Sequence, residues 1–273
     1  MLWLFLSIIC SVAIANLLKL YQEKDKSAPI LVIFFGNYLF AAIFSYLLAK
    51  PLPTDVVPKE IISGVIFGAL FIISFFVYQR NIKVNGISLS VSIMRLSLLI
   101  PIILSVLAFG DRLNIVNFIG IAIVFTVFMV MGKQKDKMNI LWLFLLFFTV
   151  GWAESGMKVF KEISSHSDAF FLTLVFTSAA LIALTAVLIQ KKKVISKYLL
   201  WGVLLGIPNQ LTAFFFMKSI DSIPAVIAYP TLAASVVLGS IFTDAFIWKS
   251  KLKRSDVILL VTILVGVVLI NIK

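Results

Sequence analysis

The sequence is poor in the side chains that carry most enzyme chemistry. It has one cysteine, Cys10, and one histidine, His166, among 273 residues. A single thiol cannot form an internal disulfide, and one histidine with one thiol cannot supply the convergent ligands of a zinc site or a complete catalytic triad. We therefore predict no metal, no cofactor and no enzymatic activity, and we expect His166 to be an ordinary loop residue.

Charge is also scarce, and apolar residues take its place. Charged residues make up 13% of the chain and hydrophobic residues 62%, against about a quarter and about half in a typical soluble domain. The mean hydropathy is +1.12. The loops between apolar runs are short, so no soluble domain is left to carry separate chemistry. This composition indicates an integral membrane protein.

Ten apolar runs are long enough to cross a bilayer, which takes about 20 residues as a helix. In lipid, each backbone donor and acceptor must be satisfied within its segment, and the runs lack the alternation of barrel strands, so helices are predicted. The predicted fold is an all-α membrane protein with ten transmembrane helices. Their spans are 2–20, 29–49, 60–80, 86–109, 114–132, 139–160, 168–190, 198–218, 223–247 and 255–272.

The net charge of +12 comes mostly from lysines at the ends of the apolar runs. There they meet lipid headgroups and orient the chain, and no soluble basic module for nucleic acid accompanies them. We therefore predict the lipid bilayer as a partner, no nucleic acid, and a multi-pass location in the inner cell membrane. The richer face, predicted to be cytoplasmic, carries Lys19, Lys24, Lys26, Arg80, Lys83, Lys133, Lys135, Lys137, Lys191, Lys192, Lys193, Lys197, Lys249, Lys251, Lys253 and Arg254. The opposite face carries Lys50, Lys59, Arg112, Lys158, Lys161, Lys218 and Lys273, so this count places both termini outside the cytoplasm.

The chain contains two related halves. The segment LWLFL occurs at 2–6 and again at 141–145, and further pairs match at an offset of 138 or 139 residues. They are Lys19 with Lys158, Glu23 with Glu162, GVIFG (64–68) with GVLLG (202–206), Arg80 with Lys218 and, after a gap, Gly120 with Gly266. Two five-helix repeats, 1–137 and 138–273, account for these pairs. Because five is odd, the second repeat starts from the opposite face of the membrane, so the repeats are predicted to be inverted.

The glycines within GVIFG and GVLLG are predicted to be packing surfaces, since small residues four apart permit close approach of helix backbones. Inverted repeats of this kind are found in secondary transporters, where a central site opens to one side of the membrane and then to the other.

Two stretches carry a family resemblance. They are SIMRLSLLIPIILSVLAFGDRLNIVNFIGIAIVF (92–125) and IAYPTLAASVVLGSIFTDAFIWKSKLKRSDVILLVTILVGVVLIN (227–271). They resemble the fourth and fifth spans, and the ninth and tenth spans, of EamA-like members of the drug/metabolite transporter superfamily. With the span number and the repeat, the resemblance covers the whole chain. It implies transport of a small organic solute by alternating access.

The sequence departs from the family pattern at the acid that follows the fourth and ninth spans. It has Asp111 where glutamate is usual, and Ser250 in place of the second acid, which weakens any role tied to that acid in the second half. The resemblance also implies cytoplasmic termini, whereas the lysine count places them outside. Both orientations stay open, with the charge count favoured because its imbalance is large.

Arg95 is the most deeply placed cation in the predicted spans. It lies about ten residues into the fourth span, near mid-depth at about 1.5 Å per residue. A charge inside a span costs about 2.5 to 3.5 kcal/mol on insertion scales, so a charge there is expected to have a functional or structural role. Either Arg95 faces a cavity and attracts an anionic group such as a carboxylate, or it pairs with a neighbouring helix or reaches an interface.

Glu154 lies about fifteen residues into the sixth span, which runs in the same direction as the fourth. Its depth therefore differs from that of Arg95 by only about 7 Å, within reach of one bridging substrate. A proton-coupled carrier needs a carboxyl group that titrates, so Glu154 is the candidate coupling residue and protons are the candidate coupling ion. The alternative is an ordinary i,i+4 ion pair with Lys158 on the same helix.

Amide side chains add polar groups to the first and eighth spans. Asn16 falls one position from the repeat counterpart of Glu154, and Asn209 and Gln210 follow Pro208. Proline removes a backbone hydrogen bond and can leave a carbonyl facing a cavity. The three amides are predicted to contact the solute, with ordinary interhelical hydrogen bonding as the alternative.

The candidate cavity aromatics are Trp152, Tyr78, Phe214 to Phe216 and Tyr229, although most aromatics of such a chain face lipid or packed helices. Pro101, Pro224 and Pro230 are expected to mark kinks or the starts of spans.

These residues and the resemblance together predict a secondary active transporter, an exporter of a small organic metabolite such as an amino acid. Two alternatives stay open. A lipid-handling or flippase-type membrane subunit would show an apolar groove open to lipid in place of a polar cavity. A membrane-embedded enzyme acting on lipid-linked substrates would need clustered acids or histidines at the interface, which the basic loops of this chain do not provide.

Overall fold

The computed structural model describes residues 1–24, 29–131, 138–249 and 254–272. Within these ranges the secondary structure is helical, with no strands. The helices are α1 (Leu2–Lys24), α2 (Ile30–Ala49), α3 (Pro58–Asn85), α4 (Ile87–Leu96), α5 (Leu99–Phe109), α6 (Ile115–Met131), α7 (Ile140–Ile163), α8 (Asp168–Ile189), α9 (Ser196–Ser219), α10 (Ala225–Phe246) and α11 (Arg254–Ile270).

Some of the sequence predictions concern residues outside the described ranges. They are the predicted repeat boundary at residue 137, the substitution at Ser250, and the orienting lysines Lys26, Lys133, Lys135, Lys137, Lys251, Lys253 and Lys273.

The described helices confirm the predicted class, an all-α membrane protein. Eight stretches are long and apolar enough to cross a membrane, and two shorter apolar helices, Ile115–Met131 and Val257–Ile270, stand where the fifth and tenth spans were predicted. Large apolar side chains such as Leu107 and Ile189 are exposed along them, as expected of a surface that contacts lipid. The inverted repeat stays a prediction.

The fourth predicted span is interrupted, since it forms α4 and α5 in place of one continuous helix. Pro101 explains the break. It has no N–H to donate to the carbonyl of Ser97 four residues earlier, and its ring clashes with that carbonyl. The Ser97 carbonyl instead accepts from the Ile100 N–H at 3.0 Å, which is the tighter 3₁₀ pattern. Pro101 therefore marks a kink, as predicted, and Pro224 precedes α10 as its N-cap residue.

The chain divides into two compact units, each built from segments of both predicted repeats. The first comprises Met1–Ile72 and Val159–Ser219, and the second comprises Ile73–Lys158 and Ile220–Lys273. Consequently α3 and α7 contribute to both units. Helices α1, α2, α8 and α9 belong to the first unit, and α4, α5, α6, α10 and α11 belong to the second.

In the first unit, α2 packs on α8 and α9, and glycines permit the close approaches. A Cβ added to Gly206 of α9 would lie 2.8 Å from the Asn37 carbonyl oxygen of α2. A Cβ added to Gly68 of α3 would meet the Val175 carbonyl oxygen of α8. GVLLG therefore packs on α2 and GVIFG on α8. In the predicted repeat, α3 corresponds to α9 and α2 corresponds to α8. The contact of α3 with α8 is therefore the repeat counterpart of the contact of α9 with α2.

In the second unit, α6 packs on α11, and the glycines that the sequence paired lie against each other. A Cβ on Gly120 would be 2.8 Å from the Gly266 carbonyl oxygen, and one on Gly266 would be 3.2 Å from the Gly120 carbonyl oxygen. At the start of α6, the Asn117 amide donates to the carbonyls of Ile270 and Ile272, both at 2.9 Å. Asn117 thus satisfies carbonyls that the end of α11 leaves without a helical partner.

Candidate functional site

The candidate site lies in the second unit, beside the break between α4 and α5. Arg95 is in the last turn of α4, and its guanidinium interacts electrostatically with Glu154 of α7 and Tyr78 of α3. The Nε of Arg95 is buried and has no hydrogen-bond partner among the described residues. A buried donor left unpaired costs about 1 to 3 kcal/mol, so a bound acceptor group would gain by satisfying it.

Close packing of α7 against the helix break brings Glu154 to Arg95. Gly151 lies one turn before Glu154, and a Cβ at Gly151 would be only 2.6 Å from the Ser97 carbonyl oxygen. Arg95 and Glu154 are both half-buried, so their charges are partly shielded from water. Opposite charges attract more strongly in such surroundings than in bulk water. The two charges that were selected by their depth therefore lie near enough to interact electrostatically.

Tyr229 contacts Glu154 through the backbone. Its side chain is fully buried, with 0% exposure, and its hydroxyl donates a 2.7 Å hydrogen bond to the Glu154 carbonyl oxygen. In this conformation Tyr229 is therefore a buried connection between α10 and α7, and its hydroxyl is engaged by the main chain.

Lys158, the alternative i,i+4 partner of Glu154, forms an ion pair with a different acid. Its ammonium lies 3.4 Å from the carboxylate of Asp111, and the two side chains are 12% and 14% exposed. The charge that acts on the Glu154 carboxyl is that of Arg95. The sequence did not indicate the Lys158–Asp111 pair, because 47 residues separate its members and only tertiary packing joins them.

Trp152 is not brought together with the Arg95–Glu154 pair. It precedes Glu154 by two residues on α7, and residues at that spacing do not share a helix face. Its side chain is 45% exposed. The structure thus separates this candidate cavity aromatic from the charged pair.

The three candidate amides belong to the first unit. Asn16 donates to the Val12 carbonyl of its own helix at 2.9 Å. Gln210 is fully buried. Its Nε2 donates to the Ser45 hydroxyl of α2 at 3.3 Å, and its Oε1 has no hydrogen-bond partner within the described part of the chain. Asn209 is half-buried on α9, which continues as a helix through the preceding proline.

His166 lies in the loop between α7 and α8, as predicted, and it packs against an acidic group. Its Nε2 is 3.5 Å from the buried Glu60 carboxylate and 3.8 Å from that of Asp55. Glu60 also accepts hydrogen bonds from the Ser164 hydroxyl and from the Val57 N–H at the start of α3. This cluster joins two loops of the first unit. Sequence reasoning missed it because the contributing residues are about a hundred positions apart.

An apolar groove of about 320 Å³ lies on α6 and α11 in the second unit. Phe118, Ile123 and Thr262 are among its lining residues, and none of its lining residues is charged. It contains none of the candidate site residues, and its chemistry suits an acyl chain better than a polar solute. Among the described residues, no group of three or more His, Cys, Asp or Glu side chains is placed to hold a metal ion.

Comparisons with known proteins agree with this architecture. Residues 137–272 match the EamA-like transporter family. An uncharacterized protein from Haemophilus influenzae is 26% identical over 270 residues, covering 92% of this chain and 91% of its own length. A solved crystal structure superposes with a TM-score of 0.80 at 12% sequence identity, covering 99% of this chain and 96% of the solved chain, which shows a shared fold.

Proposed function

Since residues 137–272 place this chain in the EamA-like transporter family, we propose that it is a secondary active transporter that exports a small organic metabolite, such as an amino acid. The family implies a membrane transporter of small solutes, and the described helices are those of a multi-pass membrane protein. The proposal adds the inner cell membrane as the location, alternating access between two inverted repeats as the mechanism, and protons as the coupling ion.

The observation that carries the proposal is the electrostatic interaction between Arg95 and Glu154 inside the spans of the second unit. Charged groups in spans are rare and typically serve a substrate or ion pathway. A solute with both a carboxylate and an ammonium group matches this pair, because its carboxylate meets the Arg95 guanidinium and its ammonium meets the Glu154 carboxylate. The unpaired Nε of Arg95 would then gain an acceptor.

Glu154 also supplies a route to coupling. Its carboxylate can hold either a proton or the ammonium group of a solute, and each excludes the other. When the carboxylate binds the solute on one side of the membrane and a proton on the other side, each transport cycle exchanges one for the other. Such competition converts a proton gradient into outward movement of the solute, provided that the site is never open to both sides of the membrane at once.

Ligand-induced thermal stabilisation of the purified protein tests the site. The panel contains amino acids, each with its decarboxylated amine and its deaminated acid, together with nucleobases and sugars. A ligand at a hundred times its Kd adds about 2.7 kcal/mol of stability by mass action. We expect the amino acids to stabilise the unaltered protein more than their amines or their deaminated acids do. In Arg95→Ala, an amino acid and its decarboxylated amine should stabilise equally. In Glu154→Gln, an amino acid and its deaminated acid should stabilise equally.

Transport into or out of proteoliposomes with an imposed pH gradient tests the coupling. Glu154→Gln should remove the dependence of exchange on the gradient, whereas Glu162→Gln, an exposed acid on the same helix, should keep it. Persistence of the dependence in Glu154→Gln would refute the role assigned to Glu154. If no member of the panel stabilises the protein and lipid headgroups, tested as a second panel, do so, the lipid-handling alternative replaces the transporter of soluble metabolites.

A further inference from the structure

A carboxylate outside the proposed site contacts two of the helices that form it. Asp111 follows α5, and its Oδ2 accepts the backbone N–H groups of Ala225 at 2.9 Å and Val226 at 3.4 Å. Its Oδ1 lies 3.4 Å from the Nζ of Lys158. One carboxylate oxygen is thus engaged by the first turn of α10 and the other by α7.

The end of α5 fixes where Asp111 lies. Gly110 has a φ of 72°, a left-handed conformation that glycine adopts without the steric cost of a side chain. The reversal directs the Asp111 N–H to the Ser105 carbonyl at 3.0 Å. The N-cap of α10, Pro224, contributes no side-chain hydrogen bond of its own. Asp111 therefore supplies both the acceptor and the negative charge that the start of that helix favours.

Each contact of Asp111 lies one helical turn from the candidate site. Ala225 is four residues before Tyr229, whose hydroxyl binds the Glu154 carbonyl. Lys158 is four residues after Glu154, on the same face of α7. Arg95 and Tyr78 also act on this region, and Glu162, four residues after Lys158 on α7, is a second acid at i,i+4 spacing from that lysine. Asp111 is therefore connected to Glu154 through two independent helices.

We propose that Asp111 is a positioning residue for Glu154. It draws the Lys158 ammonium to itself and fixes the first turn of α10, so that the Glu154 carboxyl is left to Arg95 and to the solute. The inference rests on the proposed function only in taking Glu154 as part of the site. When Asp111 is removed, Lys158 has Glu154 as an acidic neighbour one turn away and competes with Arg95 and the solute for that carboxylate.

Modification of Glu154 by dicyclohexylcarbodiimide, located by mass spectrometry of the purified protein, tests this role without a solute. The reagent adds to a protonated carboxyl group, and a carboxylate held by an ammonium group is protected from it. In Asp111→Ala at a fixed pH, we expect modification of Glu154 to be about two- to tenfold slower, the range for a lysine one turn away in partly shielded surroundings. In Asp111→Ala combined with Lys158→Met, the rate should recover toward that of the unaltered protein.

Asp168→Ala is the matched control. Asp168 is buried in the first unit between Lys161, at 2.7 Å, and Lys218, at 3.3 Å, so its loss destabilises the fold without touching Glu154. Asp111→Asn, which keeps an acceptor for α10 but not the charge for Lys158, serves if the alanine variant fails to fold. An unchanged rate in the Asp111 variants, an equal change in Asp168→Ala, or no recovery in the double variant would overturn the proposal.

The labelling result and the transport result can fail separately. If Glu154→Gln transports normally while modification of Glu154 still depends on Asp111, the coupling role is wrong and the positioning role stands. If transport depends on Glu154 while its modification ignores Asp111, the reverse holds.

Discussion

The hydroxyl of Tyr229 donates a 2.7 Å hydrogen bond to the backbone carbonyl of Glu154. In an α-helix that carbonyl accepts the N–H of Lys158, four residues later. The Tyr229 hydroxyl thus lies beside one backbone hydrogen bond of α7, the bond accepted by the carbonyl of the candidate coupling residue. Because the ring is fully buried, α10 and α7 are joined there without exposure to water.

Tyr229→Phe should weaken this junction modestly. The substitution keeps the ring and removes one hydrogen bond, and the Glu154 carbonyl keeps its helical donor, so the loss should be about 0.5 to 1.5 kcal/mol. At about 2 to 4 °C per kcal/mol for a large chain, we expect the apparent midpoint of thermal unfolding to fall by about 1 to 6 °C. Tyr229→Leu also removes ring volume and should cost more. A midpoint for Tyr229→Phe equal to that of the unaltered protein would show that the hydroxyl contributes nothing.

The charges of Arg95 and Glu154 should be energetically coupled. Arg95→Met or Glu154→Gln alone leaves the other group without its opposite charge, whereas the double variant removes both. The double variant should therefore lose less stability than the two single losses added, with an interaction of about 0.5 to 3 kcal/mol. Thermal or denaturant unfolding of the four proteins measures it. Arg95→Met with Glu162→Gln is the control, expected to be additive within about 0.5 kcal/mol.

Helix positions were predictable from the sequence because hydropathy directly reflects the environment of each span. The predicted span 168–190 became Asp168–Ile189, and 29–49 became Ile30–Ala49. In lipid, helix length is set by bilayer thickness and every backbone group must be satisfied locally. The split of 86–109 into two helices was foreseeable in part from Pro101, whose missing N–H disrupts any helix.

The candidate site was predictable only where a charge inside a span stood out. Arg95 and Glu154 were found because ionisable groups there are costly. Tyr78 was considered only as one of several candidate pocket aromatics, and Asp111 only as a departure from the family pattern, because a tyrosine in a span is common and an acid at a span end usually meets headgroups. Their significance comes from contacts between segments distant in sequence, which depth along a single helix cannot supply.

Pro101→Ala should extend the hydrogen bonding of the fourth span through its break. Alanine restores an N–H for the Ser97 carbonyl, so α4 and α5 should approach one continuous helix and move Arg95 relative to Glu154. Hydrogen exchange of peptides covering 96–101 should show greater protection, and binding of the stabilising zwitterion should weaken. Pro230→Ala is the matched control, since α10 is already continuous through Pro230. Unchanged exchange at 96–101 would show that Pro101 does not cause the break.

The predicted repeat implies that the glycines of α3 and α9 have equivalent packing roles. Gly68 faces α8 and Gly206 faces α2, each at carbonyl oxygens that leave no room for a side chain. Gly68→Leu and Gly206→Leu should therefore each destabilise the protein, by about 1 to 3 kcal/mol, because the helices must separate to admit the new atoms.

Two exposed neighbours provide matched controls for these glycines, Val65→Phe on α3 and Leu204→Phe on α9. Both substitutions enlarge a side chain on the same helices without entering a packed contact, so their thermal midpoints should stay close to that of the unaltered protein. If the halves are related as proposed, the thermal midpoints of the two glycine variants should fall by similar amounts. The reason is that α2 and α8 occupy equivalent positions in the two halves of the chain. A loss confined to one of the two glycines would mean that the first unit does not preserve the symmetry that the sequence offsets suggest.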